Sequence, residues 1–464
     1  MALIIEMPAE RLAERKHILD IVFNEFLGIE FHLVQSTRTN VKVFASDAAG
    51  AIYLPDSFFA RAHLQWAQPE SLPCTPLLHW DSATSGLNVD LVDPLVPVIY
   101  GDPVTASVKD TELFLPIDIF GSCFFMLTRY EEIVQPVEDE HSRYPASASL
   151  AYKEGFLDRP IVDEYVEILW AAMKLLWPNL TRYERIGAIK VSCDVDRPFD
   201  PSLRSVGVVS RIVLGDVLRR RDVSAALRRI RRYGAFRRGD HSNDPFHKFT
   251  WYMAVCEAAG LGAAFYFIPA RSDPRMDCHY EIEDPDILAL IRDVHLAGHE
   301  VGTHGSYNTF RDQLQIQLER QRLVSAAALV GNNIEISGNR QHYLRWDSRV
   351  TPDYLDGVGY GYDTTGSFAD MPGFRYGTSK PFSMWSWIRS EALRIQERPL
   401  VVMECSVIDD AYLGLGYGAE SFDLMNRLKS RSMQFGGDFT LLWHNSHFLH
   451  DSDQELFRAI LGVH

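Results

Sequence analysis

The 464-residue chain contains six cysteines and no CxxC pair among them. Cys74, Cys123, Cys193, Cys256, Cys278 and Cys405 are scattered, which gives no support to a cysteine zinc site and fits reduced thiols. No run approaches the roughly 18 uninterrupted apolar residues that a membrane span requires. The opening Met1-Ala2-Leu3-Ile4-Ile5-Glu6-Met7-Pro8 lacks a basic segment followed by a long apolar one, so no secretory signal is expected. Positive charge is in deficit too. Forty-six Lys and Arg against 62 Asp and Glu leave a net charge of −16, which argues against nucleic acid as a partner. These absences point to a cytoplasmic protein.

Hydrophobic residues make up 46% and charged residues 23%, a globular composition. The length exceeds one ordinary core, so two domains are expected. Residues 1–185 read as an accessory α/β domain. It has strand-like pieces at Val41–Phe44 and Val96–Tyr100, a buried helix over 119–132 and an amphipathic helix over Pro160–Trp177. The stretch Trp177-Pro178-Asn179-Leu180-Thr181 breaks that run and marks the linker. Residues 186–464 alternate. Strands are expected at Ala188–Val191, Ala263–Ile268, Glu300–Gly302, Glu335–Gly338, Val401–Glu404 and Phe439–Trp443. Helices are expected at Phe246–Ala259, Asp284–Leu296 and Thr309–Val330. Such alternation predicts a parallel α/β sheet or barrel.

Within the second part, residues 201–240 hold eleven arginines against Asp216, Asp222 and Asp240. Aliphatic residues interleave with them, from Ile212 to Leu218 and from Ala225 to Ile230, which fits a basic amphipathic helical hairpin. Two readings stand: an inserted lobe with a solvated arginine face, or a surface for anionic lipid or anionic glycan.

The chemistry is concentrated in Val191-Ser192-Cys193-Asp194-Val195-Asp196. An apolar strand ends there in two aspartates spaced to face one side. Two carboxylates that close repel, so a metal or a proton must neutralise one of them. Downstream stand Gly298-His299-Glu300-Val301-Gly302-Thr303-His304-Gly305-Ser306-Tyr307-Asn308, then Asn339-Arg340-Gln341-His342-Tyr343-Leu344-Arg345, then Leu441-Leu442-Trp443-His444. His447 and His450 follow closely, but their spacing fits a helix face or a loop equally well, so they are not read as ligands.

This order of motifs, over Ala188 to the C-terminus, resembles the polysaccharide deacetylase superfamily, carbohydrate esterase family 4. The resemblance implies a distorted (β/α) barrel with the N-terminal domain and the basic hairpin as additions. It implies Asp194 as the base, Arg340 as the arginine orienting it, and His444 as the acid for the leaving group. It implies a divalent cation, zinc foremost, with cobalt, nickel or manganese as others, held by Asp196 and His304. The third ligand position falls on Asn308 where the family has histidine. Three alternatives remain open. Asn308 supplies a neutral oxygen, His342 completes the site, or metal binding is lost and the domain only binds glycan. Tyr343, Arg345 and Asp363 are read as substrate-binding residues, and Phe374, Tyr376, Trp385 and Trp387 as core aromatics that could instead stack on a sugar.

The activity so implied is removal of an N-acetyl or other small N-acyl group from an amino sugar. The substrate would be nucleotide-, lipid- or polymer-linked, in bacterial surface-polysaccharide biosynthesis, with peripheral contact to anionic membrane through 201–240. The contrasting expectation is a deacetylase-like glycan-binding or scaffold protein. A glycosidase is disfavoured because its two carboxylates flank the bond from opposite sides.

Overall fold

The computed structural model describes residues 2–463 apart from 103–106, 110, 204 and 332. The chain forms two compact units, each assembled from separate stretches. Residues 1–188, 343–402 and 427–439 make the first, and 189–342, 403–426 and 440–464 make the second. A single cut near residue 185 therefore does not divide them, because two later segments group with the first unit.

The first unit carries a six-stranded sheet in the order Phe31–Ser36, Leu3–Pro8, Asn40–Ala45, Ala51–Pro55, Glu112–Phe114, Ser107–Lys109. Leu3, Ile5 and Met7, then Val41, Val43 and Ala45, are buried at every second position, as a half-buried strand requires. The helix Ile161–Leu176 packs into the same core through Val162, Tyr165, Val166 and Leu169. The helix expected over 119–132 is two helices, Ile119–Leu127 and Tyr130–Val134, broken at Arg129 with φ of 52°. The break turns the Arg129 guanidinium into a buried ion network with Glu131 and Glu132, whose other partner is Arg375. Long-range charge pairing overrides a local pattern that runs on without interruption.

In the second unit the strands are β1 (Ile189–Val195), β2 (Ala263–Phe267), β3 (Glu300–Gly305), β4 (Gly338–Gln341), β5 (Val402–Met403) and β6 (Phe439–Leu442). Their order is β4-β3-β2-β1-β6-β5. The pairs β1–β2, β2–β3 and β3–β4 are parallel, with Asp194 opposite Tyr266 and His304 opposite Arg340. Consecutive strands thus add in one direction and a late strand sits beside the first, the winding of a (β/α) barrel. Helices α1 (Val206–Leu218) and α2 (Val223–Phe236) form the expected hairpin. Helices α3 (Phe249–Ala258), α4 (Pro285–Leu296) and α5 (Gln313–Val330) alternate with the strands. Their ends follow local rules. Pro285 opens α4, Gly298 at φ 78° follows its end, and Asp312 caps α5 by accepting from Gln315 N at 3.0 Å.

Strand β4 is the one whose position the pattern missed. It runs over Gly338–Gln341 rather than Glu335–Gly338, because Asn339, Arg340 and Gln341 are polar and yet buried. Buried polar groups need hydrogen-bond partners, and these residues have them.

Candidate metal centre and its surroundings

The carboxyl ends of the parallel strands carry the titratable cluster. β1 contains Asp194 with Asp196 just past its end, β3 contains His304, His342 follows β4, and His444 follows β6. One ligand atom each from Asp196, His304 and His342 falls within a sphere where all lie within 4.8 Å of one another. Asp196 Oδ1 is 3.3 Å from His304 Nε2 and 3.6 Å from His342 Nε2. Oxygen and nitrogen ligands about 2.0–2.2 Å from one tetrahedral ion lie roughly 3.4 Å apart, so the donor set fits a divalent cation. Asp196 Oδ1 is buried without a hydrogen bond of normal geometry, the condition of an atom placed for an ion.

Each imidazole is fixed by its other nitrogen. His304 Nδ1 lies 2.9 Å from the Arg340 carbonyl, which only accepts, so Nδ1 carries a proton there and the ring is held with Nε2 toward Asp196. His342 Nδ1 lies 2.9 Å from Asp277 Oδ1. Asp277 is itself anchored by the backbone N–H groups of Ser272, Asp273 and Tyr307, which donate to it at 2.8, 2.8 and 2.7 Å. Burial alone would lower the His342 pKa, but the Asp196 and Asp277 carboxylates outweigh it and raise it to about 9. Burial would raise the Asp196 carboxyl, yet His342 and then His304 hold it well below the usual range.

Asp194 stands beside this cluster and is held differently. Arg340 Nη1 donates to Asp194 Oδ1 at 2.9 Å and to Ser192 Oγ at 2.9 Å. The Arg340 guanidinium lies over the Tyr266 ring, 4.8 Å from its centroid. That ring needs the bare backbone of Gly302, where a Cβ would come within 2.4 Å of Tyr266 Cδ1. Glycine in the middle of β3 thus makes room for the ring under the arginine. Asp194 Oδ2 is 3.5 Å from His304 Nε2, so both aspartates do face one side.

His444 completes the arrangement. Its Nε2 is 3.7 Å from Asp196 Oδ2, and its Nδ1 is 2.6 Å from Glu404 Oε1, which also accepts from the His444 backbone N–H at 2.8 Å. Glu404 is fully buried. Burial would lower the His444 pKa, but the Glu404 carboxylate outweighs it and raises it well above the ordinary value. Cys405 Sγ sits 3.9 Å from His444 Nδ1, and burial pushes its thiol up to about 12, so it is no nucleophile at neutral pH.

Asn308 is exposed, and its side-chain amide donates to the Ser272 carbonyl at 3.3 Å. His342 supplies the third donor of the cluster. The three residues read as substrate-binding belong to the first unit. Tyr343 packs its ring against His141, Arg345 Nε donates to the His141 carbonyl at 2.7 Å, and Asp363 accepts from Thr365 N and Oγ1 at 2.7 and 2.9 Å. Asp363 is fully buried, with its carboxylate turned to the Thr365 backbone and hydroxyl. Phe374, Tyr376 and Trp385 are buried, and Trp387 packs against the same core. Sequence reasoning missed Asp277 and Glu404. Glu404 had a signal, a carboxylate at the end of an expected strand. Asp277 lies in a loop without periodicity and had none.

Comparison with known proteins adds little at sequence level. A family described as "Family of unknown function (DUF7033)" matches residues 3–178. No curated protein matches. Among solved structures, one described as a "putative polysaccharide deacetylase from Mycobacterium smegmatis" is similar at 16% identity and a TM-score of 0.39. It covers 60% of this chain and 84% of its own. Puue allantoinase is similar at 12% identity and a TM-score of 0.36, over 62% of this chain and 85% of its own.

Proposed function

We propose that the chain is a metal-dependent hydrolase that removes an N-acetyl or other small N-acyl group from an amino sugar during surface-polysaccharide assembly. The observation that carries this reading is convergence. Three metal-type donors, a carboxylate held by arginine and a histidine held by a buried carboxylate meet at the carboxyl ends of parallel strands. A glycan-binding module has no use for a base and an acid together.

Asp196, His304 and His342 would hold the cation, which when bound supplies Lewis-acid polarisation of the acyl carbonyl. Asp194 takes the proton of the attacking water, and Arg340, donating to Oδ1, aims its carboxylate. His444 delivers a proton from Nε2 to the leaving nitrogen, while Glu404 fixes the Nδ1–H and supports the imidazolium. Zinc suits two imidazoles and one carboxylate, with cobalt, nickel and manganese as competitors.

The test is acyl release from N-acylated amino sugars presented as free sugar, nucleotide sugar and oligosaccharide, with and without added zinc. Metal-dependent release from one class supports the reading. A metal-loaded protein that binds such glycans but releases no acyl group would replace it with a binding or scaffold role.

A further inference from the structure

The helical hairpin α1–α2 begins at Val206, after the connection that follows Asp196 and carries a short turn at Pro201–Leu203. It is held firmly at its base. Asn445 Nδ2 donates to the carbonyls of both Arg197 and Phe246, at 2.9 and 2.8 Å, joining the two stems of the insertion. Phe236 at the end of α2 packs edge-on against Phe199, with His241 and His247 in the same cluster. Asp216 sits between the helices and pairs with Arg220 at 2.7 Å and Arg229 at 3.2 Å.

What the hairpin presents outward is unusual for a soluble surface. Val206, Leu214, Leu218, Val223, Leu227 and Ile230 are each more than half exposed. On α2 the spacing Val223, Leu227, Ile230 is i, i+4, i+7, one continuous stripe. At 3.6 residues per turn Arg231 stands beside that stripe, while Arg228 and Arg232 fall toward the opposite side of the helix. Among the described residues, no carboxylate lies within ion-pair distance of Arg211, Arg219, Arg221, Arg231 or Arg232.

We infer that this hairpin lies on an anionic lipid surface, with its aliphatic stripe in the headgroup region and its arginines on lipid phosphates. Composition selects this occupant over a protein. Protein interfaces favour aromatic residues and methionine with a mixed polar rim, whereas this face offers aliphatic side chains and a large excess of arginine over the exposed Asp222. Charge selects it again. The hairpin is strongly basic in a chain of net −16, so an anionic membrane would repel the rest of the molecule and attract this element alone. Among the described residues no helix is long and apolar enough to cross a membrane, so the contact is peripheral. Because the connection leading into the hairpin follows Asp194 and Asp196, the substrate class that fits is a membrane-anchored amino-sugar glycan. That last step rests on the proposed hydrolase function, whereas the membrane contact does not.

Flotation of the full chain with vesicles separates the two. Phosphatidylcholine vesicles containing about a third phosphatidylglycerol should bind at least tenfold more protein than phosphatidylcholine alone at low salt. Raising NaCl to 0.5 M should reduce binding by a similar factor. The variant Leu214→Ser/Leu218→Ser/Leu227→Ser/Ile230→Ser and, separately, Arg228→Glu/Arg231→Glu/Arg232→Glu should each lose binding about tenfold. Acyl release from a soluble amino sugar, measured on the same preparations, should not change. No flotation at low salt overturns the inference, as does binding indifferent to both variants. Capture by heparin without flotation points instead to an anionic glycan, and a dimer that the serine variant dissolves points to a second copy. A preparation that floats but releases no acyl group leaves the membrane contact standing and removes the hydrolase reading.

Discussion

Both units bury charged side chains, but they use them in opposite ways. In the first unit Glu132 meets the guanidinium groups of Arg129 and Arg375, and Arg15 meets Asp56 through two hydrogen bonds of 2.7 Å. Each of these two carboxylates meets a permanent cation. Burial would raise the Glu132 pKa, but Arg375 and then Arg129 outweigh it and lower it. In the second unit Asp196 meets imidazoles, His304 and His342 on Oδ1 and His444 near Oδ2, each with its other nitrogen on a fixed partner. Arginine closes a charge pair for good, whereas a histidine lone pair can be given to a metal. Buried charge alone therefore does not mark a site, and convergent exchangeable donors do.

Substitutions in the two regions should separate these roles. Asp196→Ala should have the largest effect, removing bound metal and lowering turnover by about a thousandfold or more. Metal content and acyl release measured side by side check this. Asp194→Asn should retain metal while turnover falls by about 10²–10⁴. Equal turnover in that variant would remove Asp194 as the base. Arg375→Met, in the first unit, should instead cost about 3–5 kcal/mol of stability by leaving Arg129 alone to balance Glu131 and Glu132, with metal content per folded molecule unchanged. Chemical denaturation monitors that loss, and a metal deficit in the folded fraction would blur the comparison. Asp277→Asn should weaken metal affinity about 10–100-fold by loosening His342, read by competition with a metal indicator.

A pH effect concerns Glu319, which accepts from Ser306 N at 2.9 Å and which burial raises to about 7. Its folded pKa lies above the unfolded value, so the native state holds the proton more tightly. Stability from this group is then full below about pH 4.5 and declines as pH rises to about 7, by up to about 3 kcal/mol. Glu319→Gln should flatten that decline. An unchanged pH profile of unfolding would show that Glu319 is not its source.

What was legible in the chain followed from distance along it. Asp194 and Asp196 are neighbours on one strand, whose alternation sets them on one side, while His304, Arg340 and His444 each stand in a short motif that the family resemblance singles out. The groups that orient them are remote in sequence. Asp277 is 65 residues from His342, and Glu404 is 40 from His444. No periodicity links such pairs; only the folded sheet does. His342 was an alternative to Asn308 on sequence, and three-dimensional grouping places its donor with Asp196 and His304. Arg129 teaches the same lesson, since a helical period ran straight through the residue where the helix breaks. The polar strand Gly338–Gln341 was shifted because the strand signal is apolar and its side chains are not.

The most direct test is elemental mass spectrometry on protein purified without chelators or metal-affinity resin, beside Asp196→Ala and Asp194→Asn. The account predicts about one equivalent of divalent metal in the unmodified chain and in Asp194→Asn, and none in Asp196→Ala. A chain that stays empty after incubation with zinc, cobalt, manganese and nickel would contradict it.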